Sequence, residues 1–390
     1  MSAAVEPATG SDRAPEEIRL ARAYLSRVAE PPALALVRFV EEVGPVAAAA
    51  AVRTGAVPEA VAKATSARRG VDRAAADLAA ARAVGARLVI PEDAEWPHWP
   101  FAAFALTGKA ELAPPLALWA RGPGRLDRLC DRGVAVVGAR AASGYGSHVA
   151  ADLAAGLAAR GCTVLSGAAI GIDGAAHRGA LAVDGPTVAV LACGVDVAYP
   201  AAHEALLARI GASGLVLSEY PPGSVPARHR FLVRNRLLAG ASAGTVVVEA
   251  GPRSGAQRTA SDARALGRPL MAVPGPITSG LSTGCHRLIR DGATLVDRVE
   301  EVLELVGRIG LDLAEPVPGP TRPTDCLDAT ALRVHEALRA RAVRESRWLA
   351  LEAAMPLEQV RGALVELERR GLAERCDGGW RRVPGRRTGS

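Results

Sequence analysis

The sequence predicts a doubly wound α/β fold, a parallel sheet covered by helices on both faces, with helical segments before it and a small helix-and-hairpin module after it. Three observations carry this expectation. Between residue 133 and about residue 309, short apolar runs alternate with segments of helix length. Each run is continuously rich in Val or Leu rather than alternating, as strands buried on both faces are. The exits of several runs are rich in Gly, the composition of tight turns that lead from a strand into a helix.

The strand candidates are Val134–Val137, Thr163–Leu165, Thr187–Leu191, Leu215–Leu217, Thr245–Val248 and Leu270–Val273. Helix-length segments follow most of them, and crossovers of that kind place helices on both faces of one Rossmann-like sheet. Residues 1 to about 15 are polar and read as a mobile start. From Ile18 to about Val84, apolar residues recur at three and four, as in Leu20, Tyr24 and Val28, with breaks at Pro31-Pro32, Gly44-Pro45 and Gly55. That pattern predicts an N-terminal helical domain over residues 1–84. Residues 85–122 carry two β-like runs, Arg87–Ile90 and Leu116–Trp119, among prolines, and read as an extended connector at the head of a domain covering 85–310. The Pro-rich stretch 311–324 has the composition of a linker. Residues 325–390 then predict helices over Ala329–Ala340, Ser346–Ala354 and Pro356–Arg370, followed by a hairpin turning at Asp377-Gly378. Three helices and a hairpin make a winged helix.

Composition narrows the classes of function. The chain has 390 residues, 49% hydrophobic but only 3% aromatic, so Ala, Val and Leu must fill the interior. The formal net charge is +6, and the only lysines are Lys63 and Lys109. Positive charge is therefore almost all guanidinium, which suits phosphate. The six cysteines are scattered without a C-x-x-C pair and read as buried thiols, with no zinc-ligand spacing. No apolar stretch has the length and purity of a membrane span, and the expected setting is the cytoplasm, with no membrane partner.

In an open parallel sheet, functional residues gather beyond the carboxyl ends of the strands. The first strand exits through Gly138-Ala139-Arg140 to Ser143 and Gly144-Tyr145-Gly146, where Ser143 can cap the next helix and expose backbone N–H groups to an anion. The second exits through Ser166-Gly167 and on to Gly171-Ile172-Asp173. Two such loops side by side form a phosphate cradle. A dinucleotide site would need G-x-G-x-x-G at the first turn, but Val149 occupies the third glycine position, and no acidic residue ends the second strand. The lysines do not complete a P-loop either. NAD, FAD and ATP are disfavoured, and no cofactor or metal is expected.

The fourth strand leads to Arg228-His229-Arg230-Phe231-Leu232-Val233-Arg234-Asn235-Arg236, five cationic or titratable side chains around one aromatic ring. Such a cluster suits a run of phosphates and a stacked base, the plain alternative being a solvated basic helix face. The fifth strand ends in Glu249 to Thr259, where Ser254 and Gly255 open a helix. Asp173 and His177, four apart, are expected to be a hydrogen-bonded pair that fixes the loop rather than an acid–base couple. Glu249 is expected to hold an Arg of the pocket.

Taken in order, these motifs resemble the DNA-processing protein A (DprA/Smf) family: Gly138-Ala139-Arg140, Ser166-Gly167 with Gly171-Ile172-Asp173, Tyr199-Pro200, Ser218-Glu219, Phe231 with Arg234-Asn235-Arg236, Ser254-Gly255 and Val273-Pro274-Gly275. Leu232, Ala202-His203 and Gln257-Arg258 depart from the family's usual residues. The resemblance implies single-stranded DNA binding, protection of incoming strands during natural transformation, loading of the RecA recombinase and homodimerisation. It also implies that the N-terminal helices are sterile-alpha-motif-like. The DNA-binding residues it points to are Gly138, Arg140, Ser143, Ser166, Gly167, Gly171, Phe231, Arg234, Asn235, Arg236, Ser254 and Gly255, and no catalytic residue. Two rivals fare worse. The lysine decarboxylase-like nucleotide phosphoribohydrolases require P-G-G-x-G-T followed by Glu, which the stretch Glu249 to Gly255 does not supply. A winged-helix transcription regulator requires a strongly basic recognition helix, whereas Pro356–Arg370 mixes Glu358, Glu366 and Glu368 with Arg361, Arg369 and Arg370.

Overall fold

The computed structural model describes residues 14–307, 312 and 323–384, so the polar start and most of the 311–324 linker lie outside the described residues. The chain opens with α1 (Glu16–Val28), α2 (Leu34–Val43), α3 (Pro45–Thr54), α4 (Glu59–Thr65) and α5 (Ala74–Ala83). Pro45 begins α3 at a position whose backbone N–H would be unpaired in any case.

The stretch expected to be a connector is instead part of the sheet. It forms β1 (Ala86–Val89), α6 (His98–Thr107) and β2 (Leu118–Arg121). β1 and β2 pair antiparallel, with Ala86 opposite Arg121, and β2 pairs antiparallel with a later strand through Trp119 and Ser218. Pro100 lies in the first turn of α6, where a missing N–H costs little.

After α7 (Leu126–Asp131) come β3 (Gly133–Val137), α8 (Gly144–Ala159), β4 (Thr163–Ser166), α9 (Ile172–Ala182), β5 (Thr187–Leu191), α10 (Glu204–Ser213) and β6 (Leu215–Ser218). Then follow α11 (Arg228–Gly240), β7 (Gly244–Val247), α12 (Ala256–Ala265), β8 (Leu270–Ala272), α13 (Thr283–Arg290), β9 (Thr294–Leu295) and α14 (Val299–Val306). The six strands expected from apolar runs are present within about a residue at each end, and β9, only two residues long, offers no run to read.

The nine strands lie in the order β1-β2-β6-β5-β4-β3-β7-β8-β9, parallel from β6 to β9. The chain winds outward from β3 to β6 and then returns to the other side of β3 at β7. That reversal opens a crevice at the carboxyl ends of β3 and β7, the place where doubly wound sheets bind ligands. One face of the sheet packs Val134, Val136, Val164 and Val246 against α8, α9 and α14. The other packs Val137, Leu165, Val188 and Val247 against α6, α11, α12 and α13. The first helices share a third core with the sheet, where Tyr24, Leu25 and Leu36 belong to the same cluster as Trp119, Leu191 and Val216. Residues 1–314 accordingly form one compact unit.

The second unit, residues 315–390, contains α15 (Ala329–Ala337), α16 (Ser346–Glu352), α17 (Leu357–Arg369), β10 (Ala373–Cys376) and β11 (Gly379–Arg382). Asp328 caps α15 by accepting from the Ala331 N–H at 2.7 Å. Val334, Leu338, Leu349, Leu364 and Leu367 make its core. The hairpin pairs Ala373 with Arg382, and Arg344 bridges to Trp380. Four of the six thiols are buried as expected; Cys326 is exposed and Cys376 half-buried, both in this smaller unit, whose core has less interior to offer. Among the described residues, no helix is long and apolar enough to cross a membrane.

Candidate nucleic-acid interface

A cavity of about 530 Å³ occupies the crevice at the topological reversal. The β3 exit contributes Gly138, Ala139 and Arg140; the β4 exit, Ala169 and Asp173; α11, Phe231, Arg234 and Asn235; and the β7 exit, Gly251, Arg253, Ser254 and Gly255. Backbone hydrogen bonds lace these loops together. The Ala139 N–H donates to the Glu249 carbonyl at 2.7 Å, and the Ile172 N–H donates to the Ala139 carbonyl at 3.2 Å. Gly171 sits at φ 89°, and a Cβ there would collide with the Ala139 and Arg140 carbonyls, so the close approach of the two loops requires glycine.

Arg234 forms the floor. It is buried, and its Nη1 donates to the Gly167 carbonyl at 2.9 Å and to the Val190 carbonyl, while its Nε donates to Asn235 Oδ1 at 3.3 Å. A Cβ on Gly167 would overlap this guanidinium, so glycine there is what admits Arg234. Asp173 Oδ2 accepts from the Gly167 and Ala169 N–H groups at 3.2 and 3.3 Å. Burial is the largest influence on both groups: it pushes the Asp173 carboxyl up and the Arg234 guanidinium down, and each opposes the shift of the other. Asn235 Nδ2 reaches across to the Gly255 carbonyl at 3.3 Å.

Above this floor lies an aromatic platform. The half-buried Phe231 ring packs against Tyr199 with centroids 5.3 Å apart, and the exposed Arg140 guanidinium lies 5.1 Å from its centroid. Arg253 is exposed on the cavity wall. Three guanidiniums, of Arg140, Arg234 and Arg253, thus face one carboxylate, that of Asp173, and the cavity carries a positive field.

Of the twelve residues expected to touch DNA, seven line the cavity: Gly138, Arg140, Phe231, Arg234, Asn235, Ser254 and Gly255. The other five do not. Gly167 and Gly171 shape the loops beneath it. Ser166 is fully buried and donates from Oγ to the Val136 carbonyl at 2.6 Å, tying β4 to β3. Ser143 caps α8 as expected, accepting from the Gly146 N–H at 3.0 Å, but the anion at this helix start is already present. It is Glu249, which accepts from the Ser143 N–H at 2.9 Å and its hydroxyl at 2.5 Å. Glu249 therefore serves a helix terminus, and not an Arg of the pocket.

Arg236 is 1% exposed and donates from Nη2 to Glu219 at 2.7 Å, inside the protein. The basic cluster around Phe231 is likewise dispersed: His229 and Arg230 turn to Glu30, and the cation over the ring comes from Arg140 on another loop. Asp173 and His177 are not bonded to each other. His177 Nδ1 pairs with Thr187 Oγ1 at 2.8 Å, and burial pushes its pKa down to about 3, so the ring is neutral. Two residues escaped the sequence reading as site residues. Arg253 was legible as a cation in a strand exit, whereas Tyr199 reaches Phe231 only through tertiary folding.

The doubly wound sheet, with a cleft at its reversal, places the chain in the Rossmann-like class, and the cleft is basic with an aromatic platform, a make-up that suits a polyanion. Residues 87–307 match the family model for DNA recombination-mediator protein A, and the chain belongs to that family. It is 54% identical over 363 residues to a Mycobacterium tuberculosis protein described as a candidate DNA processing protein DprA, covering 92% of this chain and 93% of that one. It is 38% identical over 263 residues to Protein Smf of Escherichia coli, covering 67% and 70%. The X-ray structure of DNA processing protein A from Streptococcus pneumoniae superposes with a TM-score of 0.61 at 32% identity, covering 74% of this chain and 96% of that one.

Proposed function

We propose that the protein binds single-stranded DNA in this cleft, without catalysis, to shield incoming strands and hand them as a homodimer to a RecA-type recombinase. One observation carries the reading: Arg140 and Phe231 stand together over the Arg234 floor. Cations beside an accessible ring suit alternating phosphate and unstacked base, which a single strand offers and a duplex does not. The absence of turnover is supported by what the acid and the imidazole already do. Asp173 Oδ2 accepts two backbone N–H groups, and His177 is neutral and buried away from the cavity. We read the smaller unit as a winged helix that contacts protein, because Arg361 and Arg369 on α17 and Arg370 just after it are paired with Glu358 and Glu366. Removing residues 315–390 should then leave single-strand affinity unchanged, and a large loss would place the DNA site there. The decisive experiment compares single- and double-stranded oligonucleotides over a range of salt. Preference for the single strand with a negative salt slope is expected, and equal binding of duplex would overturn the reading.

A further inference from the structure

A second basic cavity, of about 290 Å³, lies on the other side of the α11 start, between α11, the β6 exit and the first helices. Its walls include Arg27, Glu30, Arg68, Tyr220 and Arg230. Phe231 faces the first cavity and its chain neighbour Arg230 faces the second. Arg230 lies over the Tyr220 ring at 4.5 Å from its centroid, repeating the pairing of cation and aromatic ring seen with Arg140 and Phe231. At its start α11 also exposes Arg228, and Leu232 is exposed on the wall of the first cavity.

The centre of this second cavity is a carboxylate. Glu30 accepts from Arg68 Nη2 at 2.5 Å, from Arg230 Nε and Nη2 at 2.8 and 3.1 Å, and pairs with His229 Nε2 at 3.1 Å. Burial works to raise its pKa, but the hydrogen bonds from Arg230, Arg68 and His229 outweigh it and hold the carboxyl below the usual range. Two guanidiniums and an imidazole converging on one anion are the donor set of a phosphate site. Arg27 adds a third guanidinium, held by Asp77 and the Pro222 carbonyl.

We propose that this cavity is a second phosphate subsite for single-stranded DNA, in which Glu30 holds the place of a backbone phosphate and yields Arg68 and Arg230 to it when a strand extends past Phe231. The inference rests on the proposed single-strand binding at the first cavity. Exchange of one anion for another leaves the guanidiniums paired in both states, and Glu30, only half-buried at the cavity wall, turns to solvent as it releases them. Glu30 thereby keeps the subsite closed to stray anions and open to a tethered one, whose effective concentration is raised by the neighbouring contact.

The test uses the full chain and oligonucleotides of one composition, from about 4 to about 16 nucleotides. Arg68→Gln should bind the shortest as wild type does, but lose about three- to fivefold on the longest, with the salt slope smaller by about 0.7. Arg68→Lys, which keeps the charge, should retain the slope. Glu30→Gln should bind the longest oligonucleotide more tightly, because the guanidiniums no longer have an internal anion. Melting curves confirm that each variant is folded. If wild type binds single strands and all three variants match it at every length, the subsite is wrong and the first cavity stands. If Glu30→Gln weakens short and long oligonucleotides alike, Glu30 is only a brace for α11 and the proposal fails. If wild type binds no single strand, the proposed function fails and takes the subsite with it.

Discussion

Replacing Arg140 by Ala is the cleanest perturbation of the cleft. The side chain is exposed and, among the described residues, no ion pair holds it; its contact is the Phe231 ring at 5.1 Å. The fold should therefore lose no more than about 0.5 kcal/mol, the range of ordinary surface substitutions. Binding should lose more, since one charge-assisted phosphate contact goes and Phe231 loses its covering cation, together about 1–2 kcal/mol, or about five- to thirtyfold in affinity. The salt dependence sharpens the expectation. Loss of one contact lowers the magnitude of the slope of log affinity against log salt by about 0.7 for a single strand, so the defect should grow about fivefold for each tenfold reduction in salt. Backbone contacts carry no sequence information, and the loss should be the same for homopolymers of different base. Fluorescence anisotropy across a salt series measures all three quantities. An Arg140→Ala protein that melts normally and keeps wild-type affinity and slope refutes the assignment of the cleft.

Three further expectations separate binding from architecture. Phe231→Ala should lose about 1–3 kcal/mol of binding per stacked base with little change in salt slope, because stacking is not a charge contact; a parallel change in slope would show that the ring only positions Arg140. Arg236→Ala should lose about 3–5 kcal/mol of stability by leaving Glu219 buried without its partner, while the variant that remains folded keeps the wild-type salt slope. Asp262 is buried, and burial pushes its pKa up to about 6 against the pull of Arg258. Its folded pKa lies above the unfolded value of about 3.9, so its contribution to stability is complete below that value and is lost as pH rises through about 6. The melting temperature of Asp262→Asn, measured relative to wild type, should thus rise between about pH 4 and about pH 8, and a flat difference would show that the carboxyl titrates normally.

The parts of the fold that were legible in sequence are those buried on both faces. β3 to β8 are continuous apolar runs because helices cover the sheet above and below, and no solvent face interrupts them. β1 and β2 are legible as β-like runs but read as a connector because prolines surround them; those prolines flank the strands rather than lie within them, and so remove no ladder hydrogen bond. In the site, Gly138, Arg140, Ser254 and Gly255 could be read directly, since topology alone brings the exits of β3 and β7 together. Arg234 and Arg236 could not be told apart in this way. Two positions along a helix differ by about 200° in direction, so one faces the cavity and the other the interior, and only the packing of α11 decides which.

The acids around the cleft explain how so positive a site is kept open. Glu249 closes the N-terminus of α8 through Ser143, Glu219 is taken by Arg236, and Asp173 Oδ2 by the Gly167 and Ala169 N–H groups. These three carboxylates are thus bound to the framework, and among the described residues none of them hydrogen-bonds to Arg140, Arg234 or Arg253. The guanidiniums of the cleft are held instead by neutral carbonyls, as Arg234 is, or by a ring, as Arg140 is. Carbonyl and ring dipoles orient a cation without cancelling its charge, whereas a carboxylate would do both. A cleft built on that principle presents fixed positive charge to a polyanion.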